Sequence, residues 1–273
     1  MKATEWEELL LSATELVWRR VSPLAKREGR GETVGIGAAG DRTIYADKVA
    51  ENVLLKELEG VGALSEEAGR VGPKEGRVLA IVDPLDGSSN FERGIPFYCT
   101  SVAVVDGDSI DDTTVGVVRD LVTGDVYTAR KGGGARKNGR PIHTSTVVDP
   151  SEAVVGVDLS KSPPGLVRAL EPLVQGVKRQ VHLGANALEV CYLAEGKIDS
   201  FVDLRGRMRI TDFAGANLIA LEAGAKVSDA AGEDLDLHLD LEHRFSFVAS
   251  ANEEIHRKIL GYCPKPEGRA MRS

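Results

Sequence analysis

The sequence predicts a layered fold of mixed α+β and α/β character, with an antiparallel sheet in the first half and a mixed sheet in the second. Residues 101–131 carry β-type segments, SVAVVDG, TTVGVVRD and DVYTARKG, separated by turn residues as antiparallel neighbours are. Residues 153–228 alternate strand and helix patterns, which suits layers of helix on sheet. At 273 residues, 42% of them hydrophobic, the chain can bury a core as one large domain or as two tightly packed halves.

Taken from the N-terminus, residues 3–27 read as an amphipathic helix with Thr4 as its N-cap. Its stripe of Trp6, Leu9, Leu10, Ala13, Leu16, Val17, Val21 and Leu24 is expected to be core or subunit contact. GRGETVGIGAAGD (29–41) reads as a flexible surface loop, and its glycines match neither nucleotide-binding pattern. A helix over 47–58 and short strands over 61–64 and 78–83 follow. The polar stretch near 145–152, with Asp149-Pro150, predicts a hinge, giving an N-terminal half of 1–148 and a C-terminal half of 149–262. The second half reads as strand 153–158, helices near 165–175 and 185–195, strand 198–203, helix 212–223 and strand 225–228. Residues 263–273 read as a flexible tail.

A net charge of -8 argues against nucleic acid as the main partner, because phosphate backbones need a basic surface. No apolar run reaches membrane-span length, and the N-terminus lacks the apolar centre of a secretion signal. Cys99, Cys191 and Cys263 are odd in number and widely spaced, so no disulfide framework or zinc site is expected, and the setting is expected to be the reducing cytoplasm. Cys99 and Cys191 lie in apolar stretches and are expected in the core.

The residues that carry chemistry centre on Asp83-Pro84-Leu85-Asp86-Gly87-Ser88-Ser89-Asn90-Phe91. Two carboxylates follow directly on an apolar strand; Pro84 fixes φ and Gly87 permits a tight turn. Such a turn can aim both carboxylates at one point with the Leu85 carbonyl between them, an oxygen set suited to a hard cation such as Mg²⁺. The following residues can open a helix whose free N–H groups suit a phosphate. Taken alone, DPLDG is equally a capped turn, the pair Glu66-Glu67 is surface charge, and Asp212 at the head of an apolar helix is an N-cap.

Together, the Glu66-Glu67 pair, DPLDGSSNF and DFAGANLIALEAGAKVSD, in that order and separation, resemble the inositol monophosphatase-like family of metal-dependent sugar phosphatases, over about Asp41 to Ala251. The resemblance implies an αβαβα sugar-phosphatase fold and two or three Mg²⁺ ions, with Mn²⁺ able to substitute. It assigns Glu66, Asp83 and the Leu85 carbonyl to the first ion, Asp83, Asp86 and Asp212 to the second, and Asp47 to a weaker third. Glu66 and Ser88 would orient the attacking water. Asp86 would also touch a sugar hydroxyl, with Gly87, Ser88 and Asn186 as further substrate contacts.

The segment Asp203-Leu204-Arg205-Gly206-Arg207-Met208-Arg209 departs from the animal inositol monophosphatases, which have a Glu where Arg205 stands and a Trp where Thr211 stands. It resembles archaeal enzymes that hydrolyse both fructose 1,6-bisphosphate and inositol phosphates. A guanidinium fork suits a second phosphate, so Arg205 and Arg209 are expected to bind substrate. Arg207 is expected to be solvated. Many relatives have an Arg where Val181 stands, and Lys178, Arg179 and His182 are near it without aligning. The expected protein is a gluconeogenic fructose-1,6-bisphosphatase with inositol-1-phosphatase side activity, working as a homodimer on a small sugar phosphate. Alternatives are a phosphatase for inositol monophosphate, histidinol phosphate or a 3′-phosphonucleotide, a regulatory or RNA-associated module, or a metal-binding scaffold without turnover.

Overall fold

A computed structural model describes residues 1–73, 76–235 and 237–264. Helix α1 (Ala3–Val21) buries Trp6, Leu10, Ala13, Thr14, Val17 and Val21. The predicted stripe packs mostly into the core, with Leu9 and Leu16 only partly covered. Thr4 is not its cap: Lys2 holds that position, and its backbone N–H donates to Glu5 Oε2 at 2.8 Å. The helix stops at Val21, and Pro23 leads into a separate 3₁₀ turn, Leu24–Lys26.

The glycine-rich stretch is not a free loop. It forms a hairpin of β1 (Thr33–Ile36) and β2 (Arg42–Ile44), whose tip donates from Ala38 and Ala39 N–H to the carbonyls of Glu67 and Glu66. Helix α2 (Tyr45–Glu57) follows, then β3 (Gly62–Ser65), β4 (Gly69–Val71), β5 (Val78–Asp86) and the short helix α3 (Ser88–Arg93). Strands β6 (Cys99–Asp106), β7 (Thr113–Asp120), β8 (Val126–Arg130), β9 (Ala135–Lys137) and β10 (Arg140–Pro141) complete an eight-stranded sheet in the order β10-β9-β8-β7-β6-β5-β3-β4. Its pairs are antiparallel except β3 with β5.

Asp149 caps a 3₁₀ turn, accepting from Ser151 N at 2.9 Å, and β11 (Val154–Val157) opens the second sheet. The single helix expected near 165–175 is two, α4 (Pro164–Ala169) and α5 (Glu171–Gly176), broken where Pro172 enters the second. Then come β12 (Arg179–Val181), α6 (Asn186–Ala194), β13 (Ser200–Met208), α7 (Ala214–Ala223), β14 (Lys226–Ser228), β15 (Phe245–Ser250) and α8 (Glu253–Leu260). The five strands run β12-β11-β13-β15-β14, with β11 parallel to β12 and β13 and the other pairs antiparallel. Strand β15 and helix α8 had no counterpart in the sequence reading.

Alternation along the strands sorts side chains into three cores. Ala80, Val82, Val102 and Val104 face α1 and α2. Leu79, Ile81, Ala103 and Val105 face inward, where they share a core with α6, α7 and with Phe201 and Phe247 of the second sheet. Val155, Val202 and Val248 face outward onto α5 and α8. The layers are thus helix, sheet, helix, sheet, helix, and α7 is apolar on nearly every side because sheets cover two of its faces. No described helix is long and apolar enough to cross a membrane. Cys99 and Cys191 are core residues, and so is Cys263, which was expected in the tail; residues 265–273 of that predicted tail lie outside the described residues.

Candidate metal centre

Strand β5 runs from the core into DPLD, so its last carboxylates arrive on a rigid element. Asp83 Oδ1 accepts from Leu85 N at 3.0 Å, which tightens the turn after Pro84. Gly87 then takes φ 89, a left-handed conformation that lets the chain reverse into α3. A Cβ there would sit 3.0 Å from the Phe97 carbonyl and 3.1 Å from Ala185 Cβ. Asp212 is not a helix cap: Phe213 occupies that position, and Asp212 accepts from Thr211 Oγ at 2.8 Å while lining the cavity.

These turns bring one carboxylate oxygen each from Glu66, Asp83 and Asp212 within 4.8 Å of one another. Burial and the mutual repulsion of these charges hold Glu66 and Asp83 well above the usual carboxylate range. Burial also raises Asp212, against the pull of Arg209. Asp86 adjoins them; burial and the Asp212 charge raise it to about 8 although its Oδ2 accepts from Ala187 N at 2.7 Å. A cluster of largely buried carboxylates that repel one another is a poor resting state for a protein and a good donor set for a hard divalent cation. With oxygen donors and no thiolate or imidazole among them, the residues fit magnesium or manganese.

Asp47 stands apart from this triad. Its Oδ2 accepts from Ile44 N at 2.7 Å at the start of α2, and its Oδ1 accepts from Ser88 Oγ at 2.9 Å. Burial raises it to about 7. Ser88 Oγ also lies 2.8 Å from the Leu85 carbonyl, so it links the two oxygens assigned to different ions.

The cavity beside the triad measures about 510 Å³ and is lined by Glu66, Asp83, Leu85, Asp86, Gly87, Ser88, Asn186, Arg209 and Asp212. Asp47 and Arg205 are not on this wall. Arg209 reaches Glu66 with one terminal nitrogen and Asp41 of the hairpin with the other. Arg205 lines an adjoining cavity of about 840 Å³, but its fork is already filled: Nε and Nη2 bond Asp203 at 2.8 and 2.6 Å, and Nη2 meets Asp158 at 2.5 Å. The sequence reading had this guanidinium free for substrate; the two acidic neighbours neutralise it. His182 is likewise engaged, 3.1 Å from Glu189 and 3.4 Å from Asp158. Burial by itself would lower the His182 pKa, but these carboxylates raise it overall. Lys161, which the sequence reading passed over, lines both cavities. Only its left-handed φ of 59 marks it, and no sequence pattern announces that.

The chain matches the model of the inositol monophosphatase family over residues 5–265. It is 36% identical to the fructose-1,6-bisphosphatase/inositol-1-monophosphatase of Methanothermobacter thermautotrophicus, over 93% of this chain and 95% of that one. It is 32% identical to a bifunctional NADP phosphatase/NAD kinase of Methanococcus maripaludis, over 93% of this chain and 48% of that longer protein. The crystal structure of an inositol monophosphatase–fructose 1,6-bisphosphatase superposes with a TM-score of 0.84 at 30% identity, covering 96% of this chain and all of that one. The family is generally metal-dependent, and the carboxylate triad fits that chemistry. The chain belongs to the inositol monophosphatase family of phosphatases.

Proposed function

We propose that the protein is a cytoplasmic, magnesium-dependent phosphatase whose main substrate is fructose 1,6-bisphosphate and whose side activity is on inositol 1-phosphate. The observation that carries this reading is a carboxylate triad opening into a cavity that adjoins a second one, whose lining includes Lys161, Arg207 and Arg244. Glu66, Asp83, the Leu85 carbonyl, Asp86 and Asp212 would hold two Mg²⁺ ions, with Asp47 available to a third. Bound there, the metal would offset charge on the phosphoryl oxygens and lower the pKa of water so that it can be deprotonated at neutral pH.

The chain's own groups do the rest. Ser88 Oγ, which donates to Asp47 Oδ1 at 2.9 Å, would fix the water's orientation, with the Asp47 carboxylate next in line for its proton. Asp86 keeps its Oδ2 on Ala187 N, which leaves Oδ1 to face the cavity. Asn186 presents an amide oxygen that is buried and unpartnered, a vacancy that a sugar hydroxyl can fill. Arg209 on Glu66 and Asp41 joins the hairpin to the triad and would put a cation beside the transferred phosphate.

The test is phosphate release with Mg²⁺ from fructose 1,6-bisphosphate, inositol 1-phosphate, NADP and 3′-phosphoadenosine 5′-phosphate, measured side by side. The bisphosphate should be turned over fastest and inositol 1-phosphate more slowly. A second reading, NADP phosphatase, is favoured by the 32% identity to the bifunctional relative, and turnover of NADP alone would establish it. Release from none of the four overturns the enzyme reading.

A further inference from the structure

The second cavity is lined by Lys161, Arg205, Arg207, Arg209 and Arg244, of which two are paired with carboxylates among the described residues. Arg205 is bound by Asp203 and Asp158, and Arg209 by Glu66 and Asp41. Lys161, Arg207 and Arg244 pair with no carboxylate among the described residues, and of these three Lys161 alone lines both the triad cavity and its neighbour, on an exposed turn. Its φ of 59 is a conformation that a residue with a Cβ rarely adopts, so the surrounding loop must impose it.

The bonds that impose it are visible. Asp158 Oδ1 accepts from Ser160 N at 2.8 Å, closing an Asx turn, and Ser162 N returns to the Leu159 carbonyl at 3.1 Å. Arg205 holds the same turn from the other side, with Nη2 on Asp158 at 2.5 Å and Nη1 on the Ser160 carbonyl at 3.3 Å. Every contact of the Arg205 fork therefore goes to the turn that carries Lys161 or to Asp203, which anchors the fork on β13.

We propose that Lys161 is the specificity-determining residue that binds the second phosphate of a bisphosphate, and that Arg205 is a positioning residue acting through Asp158 and Ser160. The inference rests on the bisphosphatase reading above. A compact ammonium on a strained turn acts as a point charge for a phosphate, and it is uncommitted until substrate arrives. A monophosphate has no second phosphate for it to meet. Lys161 thus favours one class of substrate over the other.

The experiment compares wild type with Lys161→Asn and Lys161→Arg. Asn accepts the left-handed conformation and removes the charge, so the fold is kept; Arg restores the charge. Expected is a rise of about tenfold in KM for fructose 1,6-bisphosphate with Lys161→Asn. KM for inositol 1-phosphate should rise several-fold less than that for the bisphosphate, and Lys161→Arg should recover most of the loss. Salt should weaken bisphosphate binding in wild type and much less in Lys161→Asn. Arg205→Lys, which loses the fork, should raise the same KM while keeping the salt dependence, because Lys161 is still present. Equal effects of Lys161→Asn on both substrates, or none on either, overturn the proposal and leave the phosphatase reading standing. If wild type hydrolyses neither ester, the phosphatase reading fails instead. Equilibrium binding of fructose 1,6-bisphosphate to the same variants then decides this proposal: weaker binding by Lys161→Asn supports it and unchanged binding overturns it.

Discussion

At the scale of single residues, the centre is a set of acids held in their costly form. Asp86 and Asp47 have folded pKa values of about 8 and about 7, above the ordinary 3.8. A carboxyl whose folded pKa is raised favours the protonated native state. Its contribution is intact below about pH 4 and is lost as pH rises through 7 and 8. The metal-free protein should therefore lose stability from this cluster across that window. A divalent cation reverses the loss, since it binds the ionised form and displaces protons. The buried His256, whose pKa burial lowers to about 4, has the opposite sign but is the same with and without metal. The informative quantity is thus the metal-induced change in Tm. With saturating Mg²⁺ it should be about 5 °C or more at pH 8 and under about 2 °C at pH 5. Asp83→Asn should abolish the shift, raise the metal-free Tm at pH 8, and cost more activity than the roughly 100-fold typical of an outer-shell partner. A scan of both proteins at the two pH values checks all of this, and an equal magnesium shift at pH 5 and 8 would sink the argument.

At the scale of elements, the site depends on turns at the ends of strands, and some of those were legible. DPLDG could be read because Pro and Gly fix the turn chemically, and the order of Glu66, DPLDGSSNF and Asp212 gave it company. The alternation over β6, β7 and β8 could be read because one residue in two faces each core. The hairpin at 33–44 could not, since its four-residue strand β1 is exposed throughout and carries no alternation of burial. The ion pairs of Arg205 were hidden for another reason: Asp158 directly follows β11 and is brought to Arg205 by the parallel pairing of β11 with β13. Gly87 tests the turn directly. Gly87→Ala puts a Cβ against the Phe97 carbonyl, Ala185 and Tyr98 in a left-handed backbone. It should destabilise by about 1–3 kcal/mol, and because α3 carries Ser88, it should lower kcat as well. Denaturant unfolding and a rate assay on the folded variant measure the two effects separately, and a stable, fully active variant would contradict this role for the turn.

At the scale of the whole molecule, the first sheet ends at Pro141 and the second begins at Val154, and one core spans both. The inward faces of both sheets close on α6 and α7, so Leu79 and Phe247 belong to one cluster. The approach is closest where α7 crosses β7. A Cβ on Gly116 would come within 2.5 Å of the Gly215 carbonyl, and one on Gly215 within 2.9 Å of Ser101 Oγ. Asp212 lies two residues before this helix, whereas Asp83 lies in β5 of the first sheet. The distance between the metal-site carboxylates is therefore set by how closely α7 lies on β7. Gly116→Val should push the layers apart at backbone, where no side chain can swing aside, at a cost of about 3 kcal/mol or more. Unfolding should remain a single transition, since neither sheet has a complete core without the central helices. Magnesium should bind more weakly in the folded variant even though every carboxylate is intact. Calorimetric unfolding with and without Mg²⁺ distinguishes the outcomes: two separable transitions would show independent halves, and wild-type magnesium affinity would show that α7 does not set the triad.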